Sequence, residues 1–192
     1  MVLILASASP RRAELLRNAD IAFTVEPAHI EEQALAGEPP LGYAQRLARD
    51  KARAIFAKHP DDVVLGADTV VVADEHLLEK PHDDQDAARM LRVLSGRTHQ
   101  VITGVCLLAL GFEQTEAEIT EVRFSPLTES EIASYVETGE PMDKAGAYAI
   151  QGMASRWVER IDGCYFNVVG LPVPRVYRMM QALEAATGIH IR

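Results

Sequence analysis

Cysteine is scarce: the 192 residues hold two, Cys106 and Cys164, both in apolar runs that read as strands. That is too few for a disulfide framework. It fits two small buried side chains in a reducing compartment better than a metal site or a nucleophile. Long hydrophobic runs are missing as well, none approaching the about 20 residues of a membrane-spanning helix. Met1 to Ala6 has no basic segment and leads straight into Ser-Ala-Ser-Pro-Arg-Arg, so it is not read as a secretory leader. There is no surplus of positive charge either. A formal net charge of −9 argues against a nucleic-acid polymer as partner, because neutralising phosphates needs a basic face. A small anionic ligand needs only a local cluster of cations. Internal repeats and low-complexity tracts are absent. These absences lead to the expectation of a soluble, cytoplasmic protein with no membrane partner, built as one domain or two small lobes. A hydrophobic fraction of 48% suffices for a sizeable core.

The stretch V-V-L-G-A-D-T-V-V-V, Val63 to Val72, has the length and β-branched character of a buried strand, with Asp68 in its middle. Burying an ionised carboxylate costs several kcal/mol, roughly, unless a cation or strong donors meet it. Gly66 and Ala67 remove bulk beside it, so another backbone or a ligand can approach. Asp68 is therefore either a functional acid in a cleft or a structural one satisfied by backbone N–H groups. Val2 to Leu5 reads as a short buried strand, then a loop, then a helix with Ser9 at its N-cap and Pro10 at its first position. Arg11 and Arg12 in the first turn oppose the helix dipole. With small residues, hydroxyls and free N–H groups they suit a phosphate, although the P-loop pattern is absent. The competing reading is two solvated surface arginines.

Further along, His29 to Glu32 carries paired carboxylates at an expected strand end, and Ala34 to Pro40 is loop. A helix is expected from about Leu41 to Lys58, with Tyr43, Leu47, Lys51 and Ile55 on one row. Lys51 thus sits on the apolar face, either snorkelling or aiming its ammonium into a cleft. Ala73 to His76 has turn character and opens a hairpin, after which Lys80 lies near a strand end. A helix over Asp83 to Leu94 turns Ala87, Met90, Leu91 and Leu94 inward. Val101 to Leu110 and Glu116 to Phe124 form a pair around Gly111, with His99 just ahead of it. Thr128 and Glu131 form a capping box. Gly139 to Gly152 reads as a close-packed loop and strand presenting Asp143, Lys144 and Gln151. Asp162-Gly163 signals a hairpin between Trp157–Ile161 and Cys164–Val169, and a last helix ends near Thr187.

Two arginines at a helix start, two lysines near strand ends and the carboxylates Glu32 and Asp68 suit a metal-complexed polyphosphate. Six blocks give this a family: L-A-S-A-S-P-R-R, G-A-D-T-V-V, E-K-P, S-G-R-T-H-Q-V-I-T-G-V, G-E-P-M-D-K-A-G-A-Y-A-I-Q-G and N-V-V-G-L-P. In this order, over nearly the whole chain, they resemble the Maf family of nucleoside triphosphate pyrophosphatases. The resemblance implies an α/β fold like that of the inosine-triphosphate pyrophosphatases: an elongated mixed sheet with flanking helices. It implies a single domain over 1–192 with a cleft between two lobes. It also implies a nucleoside triphosphate substrate, a divalent cation (Mg²⁺ or Mn²⁺) and a homodimer. Carried over by motif, Ser7, Ser9 and Arg12 contact phosphate, Lys51 and Lys80 steady the triphosphate, and Glu32 and Asp68 hold metal. Asp68 also accepts a proton from the attacking water. Arg11, Thr69 and Gln151 resemble the branch acting on dTTP and UTP, whereas the branch acting on 7-methyl-GTP tends to Trp, Gln and Glu there. A pyrimidine's carbonyls and N3–H match arginine, threonine and an amide. An alternative of another class is a nucleotide-binding regulator of septum formation and cell division. T-G-V-C, Thr103 to Cys106, is assigned no role.

Overall fold

The structure, a computed structural model, describes residues 1–74 and 76–191; Glu75, in the expected turn, lies outside them. The elements in chain order are β1 (Leu3–Leu5), α1 (Pro10–Asn18), β2 (Thr24–Val25), α2 (Pro40–Phe56), β3 (Val63–Ala73), β4 (His76–Leu78) and α3 (Asp84–Leu94). Then come β5 (Thr98–Ala109), β6 (Phe112–Phe124), α4 (Glu129–Val136), β7 (Val158–Asp162), α5 (Tyr165–Val169) and α6 (Val173–Thr187). One seven-stranded sheet runs in the order β2-β1-β3-β5-β6-β7, with β4 paired to β3. It is mixed: β1 is parallel to β2 and β3, while β3–β4 and β6–β7 are antiparallel. Helices flank it, as expected for an α/β chain. Among the described residues no helix is long and apolar enough to cross a membrane.

The chain divides into two compact units. The first comprises Met1–Asp68, Thr103–Glu118 and Gly170–Arg192. Its core includes Ile4, Val64, Cys106 and Leu108 from strands and Ala6 just past β1, with Ala48, Ala52 and Ile55 from α2. Close approach of α2 explains two glycines. A Cβ on Gly66 would collide with the Ala48 carbonyl, and one on Gly104 with the Ala44 carbonyl. Ala44, Ala48 and Ala52 recur every four residues and form one small-residue row. The row seats the helix against β3 and β5 with its backbone almost touching them. So the approach that Gly66 permits is that of another backbone, and Gly104, within T-G-V-C, has a packing role.

The second unit comprises Thr69–Ile102 and Ile119–Val169. It holds a cluster of rings in which His99, Phe124 and Tyr148 meet edge-to-face, as do Tyr135 and Trp157, an arrangement that aromatic quadrupoles favour. A tilted Phe124–Trp157 contact joins the two groups. The capping box on α4 is complete, Thr128 accepting from the Glu131 N–H and Glu131 from the Thr128 N–H. Three expectations fail in this unit. His99 is inside β5, not ahead of it, and is buried. Residues 140–147 form two short 3₁₀ turns (Glu140–Asp143 and Ala145–Ala147), with no strand. Tyr165–Val169 is a short helix, so β7 pairs with β6 instead of closing a hairpin through Asp162-Gly163. There the Asn167 Nδ2 donates to the Val101 carbonyl and to Thr120 Oγ1, both at 2.9 Å, and this tertiary grip overrides a strand-like composition.

Candidate active site

Both cysteines are free, Cys106 buried and Cys164 half-buried. β3 pairs with β1 over Val63–Leu65 and with β4 over Val71–Ala73, and Asp68 lies in the stretch between. Its side chain is buried. The small-residue seat of α2 brings Lys51, on the buried face of that helix, within reach of it. The Lys51 Nζ is 2.7 Å from Asp68 Oδ1 and 2.7 Å from Glu32 Oε1. Lys51 therefore does not snorkel; its ammonium bridges two carboxylates from separate parts of the chain.

Arg12 is the second buried cation. Its Nε donates to the Gly170 carbonyl at 2.8 Å, and its Nη1 to Ser7 Oγ at 2.8 Å and to the Ala67 carbonyl at 2.9 Å. The first turn of α1, the strand residue before Asp68 and the entry to α6 are thus tied through one guanidinium. The cation in the helix's first turn is thus met by two carbonyls and a hydroxyl and by the Asp68 charge, which oppose the few tenths to about 1 kcal/mol that the dipole costs. Ser7 Oγ also accepts from the Ser9 N–H at 3.3 Å. With both acceptor positions used, its O–H is left to donate, which suits a phosphate oxygen. Ser9 takes the N-cap backbone conformation, but its side chain makes no capping bond.

Burial pushes the Asp68 carboxyl above the ordinary carboxylate range; Lys51 and Arg12 oppose this, and Glu32 adds to it. Desolvation therefore outweighs the stabilising cations that the sequence brings to mind. A raised carboxyl is the better proton acceptor near neutrality. Burial also lowers Arg12, partly offset by Asp68, yet a guanidinium stays charged in proteins. Two carboxylates and a hydroxyl, with cations beside them, form a hard-oxygen donor set. Among the described residues no cluster of three or more His, Cys, Asp or Glu could hold a metal by itself. The set fits a cation such as Mg²⁺, which takes one or two carboxylates and completes its shell with water and substrate phosphates.

Ser7, Ser9, Arg12, Glu32, Lys51 and Asp68 are thus brought together in the first unit, with Arg11 half-buried beside Arg12. Thr69, Lys80 and Gln151 belong to the second unit. Thr69 is half-buried directly after Asp68 in β3, and Lys80 and Gln151 are exposed. The Gly146 N–H donates to the Glu79 carbonyl at 3.1 Å, which joins the Lys80 segment to the turn leading to Gln151. Around that turn Tyr135 Oη donates to Glu140 Oε1 at 2.8 Å and accepts from the Ala149 N–H at 3.1 Å. Sequence reasoning passed over Glu140, Gly104 and Gly170. Paired glycines opposite an alanine row were the available signal for Gly104.

A family model described as Maf-like protein matches residues 2–183. A dTTP/UTP pyrophosphatase of Koribacter versatilis (strain Ellin345) is 66% identical over 181 residues, 94% of each chain. One from Symbiobacterium thermophilum (strain DSM 24528 / JCM 14929 / IAM 14863 / T) is 52% identical over 178 residues, 93% of this chain and 92% of its own. A third, from Syntrophomonas wolfei subsp. wolfei (strain DSM 2245B / Goettingen), is 49% identical over 178 residues, 92% and 94% of the two chains.

Proposed function

The chain belongs to the Maf-like protein family, and from that premise we propose that it hydrolyses dTTP and UTP to the nucleoside monophosphate and pyrophosphate. The observation that carries the chemistry is the buried Asp68 held at 2.7 Å by the Lys51 ammonium, which Glu32 shares. Attack on the α-phosphorus forms a bond from the water oxygen and breaks the bond to the α,β-bridging oxygen, so pyrophosphate leaves. Asp68 accepts the water's proton, for which its burial-raised basicity suits it. Lys51 holds that carboxylate in place and, with Lys80, carries charge for the triphosphate. Ser7 donates to a phosphate oxygen, and Arg12 locks the loop that presents Ser7 and Ser9. Asp68 and Glu32 are the ligands available to Mg²⁺ or Mn²⁺, which when bound neutralises phosphate charge. Arg11, Thr69 and Gln151 read the pyrimidine edge, the exposed Gln151 amide matching a carbonyl and an N3–H.

The same reading takes the enzyme as cytoplasmic and homodimeric, on family likeness and its free cysteines. A mass twice that of one chain by light scattering is the expected outcome, and a single-chain mass contradicts it. For the reaction, the test is a panel of nucleoside triphosphates with Mg²⁺. Pyrophosphate and monophosphate from dTTP and UTP in excess of purine substrates is expected. Absence of pyrophosphate from every triphosphate would sink the assignment.

A further inference from the structure

Glu32 reaches Lys51 from residues 26–39, a long irregular stretch between β2 and α2. Long loops without regular structure are costly to order and are usually functional. Glu32 itself is 44% exposed at its side chain, so packing alone does not fix it. The stretch is gripped nearby. The Arg46 Nε donates to Glu38 Oε1 at 2.7 Å, and its Nη2 donates to Glu38 Oε2 at 2.7 Å and to the Gln33 carbonyl at 2.9 Å. Glu38 closes the other side: its Oε2 accepts from the Leu35 N–H at 3.1 Å, and its own N–H donates to the Leu35 carbonyl at 3.0 Å. The guanidinium also stacks over the Tyr43 ring, 5.4 Å from its centroid, within cation–π range.

Arg46 and Lys51 are both on α2. The helix that aims the ammonium at Asp68 therefore also holds the loop that brings Glu32 to that ammonium. A fork-to-fork pair with carboxylate and carbonyl has the directionality to set a loop's position, which a surface lysine pair lacks. We infer that the Arg46–Glu38 clamp positions Glu32 for the cation that accompanies the triphosphate. Arg46 and Glu38 are positioning residues that touch no reacting atom. Arg46 lowers Glu38 to about 2, so the clamp is intact throughout the neutral range.

The inference rests on Glu32 being a ligand of that cation, and the experiment separates the two claims. Glu38→Gln, Arg46→Lys and Glu32→Gln are compared with the unaltered chain by amide hydrogen exchange without metal, by Mg²⁺ dependence of dTTP hydrolysis, and by thermal melting. Expected for Glu38→Gln and Arg46→Lys are exchange faster by about tenfold at residues 31–36 with α2 still protected, and an Mg²⁺ half-saturation raised about tenfold. The maximal rate at saturating Mg²⁺ stays within about twofold. A lysine keeps the charge and loses the fork, so Arg46→Lys tests geometry and not charge. Unchanged exchange at 31–36 in both variants overturns the clamp. So does faster exchange with unaltered Mg²⁺ dependence, provided Glu32→Gln raises the half-saturation. If Glu32→Gln itself leaves Mg²⁺ dependence untouched, the ligand assignment fails, and exchange alone decides whether the clamp holds the loop.

Discussion

Burial decides the behaviour of two residues, in opposite directions. Asp68 is raised by desolvation, and Asp68→Asn removes the proton acceptor while keeping shape. We expect turnover to fall by about 100-fold or more, with nucleotide binding by calorimetry retained; a near-normal rate would remove Asp68 from the role of base. His99 is lowered to about 4 by burial, its Nε2 2.9 Å from Tyr148 Oη. Between about pH 4 and its ordinary value near 6.5 the unfolded chain binds the extra proton and the native one does not. Stability from this group is therefore complete above about 6.5 and is lost as pH falls towards 4, by at most about 3 kcal/mol. Urea titrations from pH 7 to 4.5 check it: His99→Gln should flatten the acid-side decline. An identical decline in both proteins would contradict it.

The contact between α2 and the sheet is the element on which the site depends. Gly66→Ala forces the Cβ into the Ala48 carbonyl. It should cost about 1–3 kcal/mol in denaturant unfolding and displace Lys51, lowering the rate as well. Gly42, in the same helix, has only ordinary contacts with Pro39 at 3.5 Å or more. Gly42→Ala should be neutral or stabilising by up to about 1 kcal/mol. Equal effects of the two would refute the close-approach account. Elements with local signals were legible: the T-x-x-E box of α4, the apolar row of α3, and the β-branched run of β3. Those held by tertiary contacts were not. Tyr165–Val169 is helical because of where the Asn167 amide bonds, and residues 140–152 turn around the Glu140 carboxylate. Neither force leaves a periodic trace in sequence.

Across the whole chain, the acidic balance conceals a local concentration of cations, and total charge said little about the substrate. Composition bounded the class, and motif order pointed to the family. The mutual placement of Lys51, Asp68 and Glu32 was open in sequence because spacing alone leaves each side chain two destinations. Lys51 in particular could snorkel or turn inward, and the glycine notches decided the outcome. The proposed reaction breaks a specific bond. Hydrolysis of dTTP in ¹⁸O-enriched water, followed by mass spectrometry of both products, reads it directly. Attack at the α-phosphorus places the heavy oxygen in the nucleoside monophosphate and leaves the pyrophosphate unlabelled. Heavy oxygen in the pyrophosphate, with an unlabelled monophosphate, would contradict the account.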